Sequence, residues 1–251
     1  MKSLILFDLD GTLAESKRPV DLEMSGLIGA LLRLTRIGVI SGGGWPQFQS
    51  QPLPSLPADA VLANLTLLPI SGGEFYVRQE AWTQTYSHAF SPEERVRIMT
   101  DVNDALRACA FDIPQIWGPQ IEDRGGQVTL SVLGQLAPIS AKLQWDPDQK
   151  KRLRLVELLK SNAGLYAAHI GGATSVDVTR PGVDKAYGVR QLVAILGIDV
   201  AHMLFVGDAL FAGGNDFPVK ATGIETIGVR DAEETKRIIE TVLACRAGVG
   251  F

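Results

Sequence analysis

The sequence predicts an α/β fold, a parallel sheet with helices on its faces, interrupted by an inserted α+β unit. Three observations lead there. Short apolar runs alternate with amphipathic stretches at the start of the chain. The same alternation resumes near the end, and the middle breaks it. With 251 residues the chain has room for one large domain, or for a core with a sizeable insert.

Residues 3–7 form an apolar run that stops at acids and Gly, the pattern of a buried strand of a parallel sheet. Residues 22–36 carry Leu22, Leu27, Ile28, Leu31, Leu32 and Leu34 at helical spacing. Residues 37–40 are a second strand, stopped by Ser41-Gly42-Gly43-Gly44. The Pro-, Gln- and Ser-rich residues 46–57 predict a loop. A third strand is expected over 60–65, then a hairpin over 66–80 turning at Ser71-Gly72-Gly73.

In the middle, Ser91-Pro92-Glu93-Glu94 marks a helix start, with Ser as the cap and Pro and acids in the first turn. That helix should reach about residue 110. Alternating strands are expected at 127–133, 166–170 and 175–178, with a charged helix over 146–161. These elements do not alternate regularly, so the inserted α+β unit is placed at 82–184, between core segments 1–81 and 185–251. A helix over 184–196, strands at 203–206 and within 221–229, and a helix over 232–245 complete the core.

Composition narrows the function. There are 24 basic and 28 acidic residues, a net charge of −4, and no basic tract stands out, which argues against nucleic acid as a partner. No apolar run approaches the about 18 residues of a membrane span, and the short apolar start is no signal peptide, so a cytoplasmic protein is expected. Cys109 and Cys245 have no metal-ligand spacing and read as buried or partly buried thiols in a reducing compartment.

Chemistry concentrates where strands end, which is where open α/β sheets bind ligands. Asp8-Leu9-Asp10-Gly11-Thr12 follows the first strand. Two acids one residue apart can face one hard cation such as Mg²⁺, which takes oxygen ligands and screens a phosphate from an anionic nucleophile. Ser41 and the glycines after it could hold phosphate oxygens through a hydroxyl and amides. Lys185 opens a helix, against the helix dipole, so something else must favour it there, and a bound phosphate would. Gly207-Asp208 ends a late strand, followed by Gly213-Gly214-Asn215-Asp216. Asp208 could be a further metal ligand, with Asn215 and Asp216 orienting it. Taken singly, each motif also fits a plain turn, a capped loop or a solvated lysine.

Together and in this order, the four motifs resemble the haloacid dehalogenase superfamily of phosphotransferases. The resemblance implies a Rossmann-like core with a parallel sheet and an inserted α+β cap. It makes Asp8 the nucleophile that forms an aspartyl-phosphate, and Asp10 the general acid and base. Mg²⁺ would be held by Asp8, the Asp10 main-chain carbonyl and Asp208. Ser41, Gly42, Gly43 and Lys185 would position the phosphoryl group.

The middle is similar to the eukaryotic-type phosphomannomutases. Residues 171–178, leading into Gly182-Val183-Asp184-Lys185, are similar to that family's GGQxSxDV…GWDK. The late GD…GGND also matches, and Arg124-Gly125-Gly126 with Ser131 and Gly134 is similar to RNGMLNxSPIGR. The similarity implies that Arg124 grips a distal phosphate, that Ser175 and Asp177 contact sugar or phosphate, and that Lys17 or Arg18 closes over the substrate. It also implies a hexose bisphosphate activator and a homodimer through the cap.

Four departures stand out. The family's second cap Arg falls on Gln135 and its third on Lys142. Gln loses the charge and Lys loses the bidentate fork that suits phosphate. Ala209-Leu210 replaces Lys-Thr, and Ala63-Asn64-Leu65 stands where the family has ENG. The departures at Gln135 and Lys142 push towards a phosphatase, but the matching 171–178 and GGND segments make interconversion of mannose 1-phosphate and mannose 6-phosphate the expected activity. The alternative is a phosphatase on a phosphorylated sugar or sugar acid, with water in place of the sugar as acceptor.

Overall fold

The computed structural model describes residues 2–160 and 164–247. The chain divides into two compact units, Met1–Ser87 with Asp184–Phe251, and His88–Val183.

In the first unit the elements run β1 Leu4–Asp8, α1 Leu22–Leu32, β2 Arg36–Ile40, α2 Trp45–Ser50, β3 Leu65–Leu68, β4 Glu74–Arg78 and β5 Trp82–Ser87. With β10 Met203–Gly207 and β11 Glu225–Gly228 from the end of the chain, five strands pair in parallel in the order β11-β10-β1-β2-β3, and β4 and β5 extend the sheet antiparallel.

Strand β1 shows why the sheet takes helices on both faces. Successive side chains point to opposite sides. Ile5 and Phe7 pack into one core with Met24, Ile28 and Leu31 of α1. Leu4 and Leu6 pack into another with Val189 and Leu192. All five β1 residues are buried, so the strand reads as a continuous apolar run ending in one acid.

Three expectations shift here. The residues expected as loop over 46–57 contain α2 and a 3₁₀ turn at Leu53–Ser55. Gly44 caps α2 and Pro46 stands in its first turn, where its missing N–H costs nothing. The strand expected over 60–65 starts only at Leu65, because Leu65 is the residue that pairs with Ile37 of β2. The insert was expected from residue 82, but β5 pairs with β4 in the first unit's sheet, so the second unit starts at His88.

The second unit comprises α3 Pro92–Cys109, β6 Ile121–Asp123, β7 Gln127–Ser131, α4 Ile139–Trp145, α5 Lys150–Leu159, β8 Ala167–Ile170 and β9 Ser175–Thr179. Its antiparallel sheet has the order β6-β7-β9-β8. Helix α3 begins with the expected capping box, the Ser91 side chain and the Glu94 carboxylate each bonding the other's N–H. The helix expected over 146–161 is α5, starting only at Lys150, and a second helix, α4, precedes it. Asp146 at their junction takes the main-chain N–H groups of Lys151 and Arg152 and the Arg152 guanidinium. Residue 161 lies outside the described residues. One sheet face is apolar, with Val128, Leu130, Val176 and Val178 fully buried against the helices.

After Val183 the chain re-enters the first unit with α6 Lys185–Leu196, β10 Met203–Gly207, β11 Glu225–Gly228 and α7 Ala232–Ala247. Helix α6 packs closely on the loop after β3. A methyl group on Gly72 would lie 2.4 Å from Gly188 Cα, and the φ of +89° at Gly72 favours Gly as well. This close contact helps fix the α6 turn that carries Lys185. Cys109 is buried as expected, whereas Cys245 on α7 is exposed. Among the described residues no helix is long and apolar enough to cross a membrane.

Candidate active site

Strand register brings the first-unit motifs together. Asp8 pairs with Ile40, so Ser41 begins the loop beside it. Phe7 pairs with Val206, so Asp208 leaves the sheet on the other side of β1. Asp8 continues the Leu4 and Leu6 face of β1, the face that packs on α6. There it meets Lys185, the first residue of α6.

Lys185 is fully buried and hydrogen-bonds Asp8 Oδ1 and, at 2.6 Å, Asp216 Oδ1. Two buried carboxylates, where a bound phosphate was expected, thus hold the lysine against the helix dipole. Asp216 spends its other oxygen on the Ala209 N–H at 2.9 Å, which anchors the loop after β10. Neighbouring Asn215 is exposed, and among the described residues its side chain makes no hydrogen bond to these acids.

Carboxylate oxygens of Asp8, Asp208 and Asp216 lie within 4.8 Å of one another. Burial pushes the Asp8 carboxyl well up, Lys185 opposes that, and Asp216 and Asp208 add to it. Burial and Asp216 likewise raise Asp208. Burial also works against the Lys185 ammonium, but Asp216 and Asp8 outweigh it and its pKa is raised. Three acids against one lysine leave an excess of negative charge. Gly11 admits the Asp208 carboxylate, since a Cβ there would stand 2.5 Å from Asp208 Oδ2. An all-oxygen, anion-rich cluster of this kind fits a hard divalent cation.

The Asp10 side chain lies outside this cluster. Its Oδ1 accepts from the Lys17 N–H and its Oδ2 from Gln47 Nε2, both at 2.7 Å. Lys17 and Arg18 have exposed side chains, and their main chains brace the loop: Arg18 O accepts from Gln51 Nε2 at 2.6 Å.

Ser41 is buried, and its Oγ accepts from the Gly43 N–H at 3.0 Å. The Ser41 N–H donates to Leu68 O. The Gly43 amide, one of those expected to face a phosphate, is therefore spent on the turn, and the Ser41 amide continues the pairing with β3. Gly43 is needed for space: a Cβ would come within 1.6 Å of Gln47 Oε1.

In the second unit, the expected residues line the polar face of its sheet. Thr129 pairs with both Asp177 and Glu122, and Ser131 with Ser175. Thr129 Oγ1 donates to Asp177 at 2.8 Å, Ser131 and Ser175 share a 2.9 Å hydroxyl contact, and Arg124 reaches Glu122 at 2.8 Å. Burial raises the Asp177 carboxyl, with the Arg124 guanidinium opposing. Lys142 stands apart, donating to the Gln135 carbonyl at 3.4 Å. Sequence reasoning missed Gln47, Thr129 and Glu122. Strand alternation around Ser131 and Asp177 was the available signal for the last two; nothing local marked Gln47.

The family model for eukaryotic phosphomannomutase matches residues 59–245. A phosphomannomutase of Schizosaccharomyces pombe is 31% identical over 87% of this chain and 85% of its own length. One from Encephalitozoon cuniculi is 26% identical over 99% and 96%, so it also spans the Asp8 and Ser41 motifs that precede the family match. Among solved structures, N-terminally truncated Plasmodium falciparum IMP-nucleotidase bound to IMP shares the fold. Its TM-score is 0.71 at 18% identity, over 97% of this chain and 68% of that one. The likeness to the nucleotidase is one of fold, whereas the family model and the S. pombe relative match most of the chain in sequence, and the chain belongs to the eukaryotic phosphomannomutase family.

Proposed function

We propose that this protein interconverts mannose 1-phosphate and mannose 6-phosphate through a phosphoryl group carried on Asp8, with a hexose bisphosphate as activator. The observation that carries the chemistry is the buried Asp8–Lys185–Asp216 arrangement beside Asp208, at the carboxyl ends of adjacent parallel strands. Asp8 attacks phosphorus in line, the bond from phosphorus to the sugar oxygen breaks and the phosphoryl group passes to Asp8; the accepting sugar hydroxyl then attacks that phosphorus and the bond to Asp8 breaks. Asp10 gives its proton to the departing sugar oxygen, then takes one from the accepting hydroxyl. Lys185 orients Asp8 and offsets its charge, Asp216 orients Lys185, and the Ser41 hydroxyl holds a phosphoryl oxygen. Asp8, Asp208 and the Asp10 main-chain carbonyl would hold Mg²⁺, which neutralises charge developing on the transferred group.

A bisphosphorylated sugar also needs a second anion-binding group. Arg124 serves in that role, with Ser175 and Asp177 contacting sugar. Exposed Leu136, Ile139 and Leu143, on and just before α4, offer apolar surface for a homodimer contact.

The phosphatase reading rests on Gln135 and Lys142, which replace two arginines of the family pattern, with the Lys142 ammonium turned to the Gln135 carbonyl. Incubation with mannose 1-phosphate and Mg²⁺, with and without a hexose bisphosphate, separates the two. Bisphosphate-dependent mannose 6-phosphate with little free phosphate is expected; free phosphate without isomerisation would establish the phosphatase.

Ion binding has a separate readout. At 100 times its dissociation constant Mg²⁺ adds about 2.7 kcal/mol, a rise in melting temperature of about 5–10 °C. Asp208→Asn abolishes most of that rise. The raised Asp8 and Asp208 carboxyls favour folding at low pH, and that contribution is lost as pH climbs through their raised values. Ion-free protein should therefore lose stability with rising pH in that range, and the Mg²⁺ effect should shrink as protons compete at lower pH. A melt in chelator against Mg²⁺ at several pH values checks both.

A further inference from the structure

A general acid works only when its carboxyl stands within hydrogen-bond reach of the departing oxygen. Asp10 is a partly exposed loop residue, and such a side chain has several rotamers open to it. Both of its oxygens are nevertheless held, one by a main-chain N–H and one by a side chain, Gln47.

Gln47 sits in the first turn of α2 and its own N–H donates to Gly44 O. Its side chain folds back across Gly43, where no Cβ could fit. The amide is thus clamped with its oxygen over Gly43 and its NH₂ on Asp10. A carboxylate can take only the NH₂ side, which fixes the amide's orientation. Gly43 in turn donates to Ser41 Oγ. One side chain therefore ties the loop carrying the phosphate-binding hydroxyl to the loop carrying the acid. Packing of α2 does not call for this contact, since fully buried Phe48 supplies the apolar anchor.

We propose that Gln47 is a positioning residue for Asp10, holding its carboxyl where it meets the oxygen that leaves phosphorus. This rests on the reading of Asp10 as the general acid. Sugar alkoxide needs a proton to depart, whereas p-nitrophenolate does not. Loss of Gln47 should therefore slow transfer from a sugar and spare transfer from an aryl phosphate.

The test is the single-turnover rate of phosphoryl transfer to the protein, from a hexose bisphosphate and from p-nitrophenyl phosphate, in the parent, Gln47→Ala, Asp10→Asn and the double variant. Gln47→Ala should lower the sugar rate about 10–100-fold and change the aryl rate by less than about threefold. Asp10→Asn should show a larger loss with the same selectivity. Adding Gln47→Ala to Asp10→Asn should cost nothing further on the sugar, as for two groups acting as a unit. Equal losses on both substrates would mean a damaged Ser41 loop and would overturn the inference. So would an unimpaired Gln47→Ala beside a selectively impaired Asp10→Asn, which leaves the reading of Asp10 standing. No leaving-group selectivity in Asp10→Asn would remove that reading, and the inference with it.

Discussion

Asp8→Asn should lower turnover by about 10⁴-fold or more while leaving the protein folded and, without Mg²⁺, at least as stable as the parent at neutral pH. The two halves of this expectation have one cause. Burial and two neighbouring acids make the ionised Asp8 carboxylate costly to hold, which is why its pKa is raised. An amide removes that cost and can still accept from Lys185. It cannot attack phosphorus as a carboxylate does. A melt in chelator, run beside the activity assay, checks both halves. A variant that kept activity would remove Asp8 as nucleophile. One that lost activity by unfolding would mean that the carboxylate serves structure.

Lys185→Met should do the reverse and cost stability first. The lysine is fully buried with carboxylates on two sides, Asp8 and Asp216. Removing it leaves two acids unpaired in a low-dielectric environment, and breaking a buried ion pair by deleting one partner costs about 3–5 kcal/mol. Turnover should fall about 10²–10³-fold, the scale for loss of one oriented electrostatic group. Asp216→Asn added to Lys185→Met should recover part of the lost stability but none of the activity, because it removes one unpaired charge without restoring the ammonium. Denaturant melts of the single and double variants give the coupling. If Lys185→Met melted like the parent, the pairing with Asp8 and Asp216 would not exist in solution.

Four residues of the first-unit site were legible because each sits beside a feature that sequence displays. Asp8 ends an apolar run, Ser41 precedes a glycine run, Lys185 opens an amphipathic helix, and Asp208 follows a late apolar run. Parallel pairing then brings those strand ends together without further information. The strand expected at 60–65 was misplaced because Ala60, Val61 and Leu62 are as apolar as the residues that pair, and only the register with β2 selects Leu65–Leu68. Helix α2 was hidden by its Pro, Gln and Ser content, which suits a first turn after Gly44 as well as a loop. Gln47 was illegible for a different reason. Its importance lies in a side-chain path over Gly43, and a contact between residues 10 and 47 leaves no mark on local pattern. In the second unit, Gln135 and Lys142 were visible as departures, but that Lys142 turns to the Gln135 carbonyl is a tertiary fact.

The most direct test of phosphoryl transfer through Asp8 is to identify the residue that carries the phosphoryl group. Protein reacted with a hexose bisphosphate and Mg²⁺, quenched in acid and digested, should give one phosphorylated peptide, containing residues 4–14, with the group on Asp8 and labile to hydroxylamine. Phosphate on any other residue, or none at an exchange rate that matches turnover, would contradict the account.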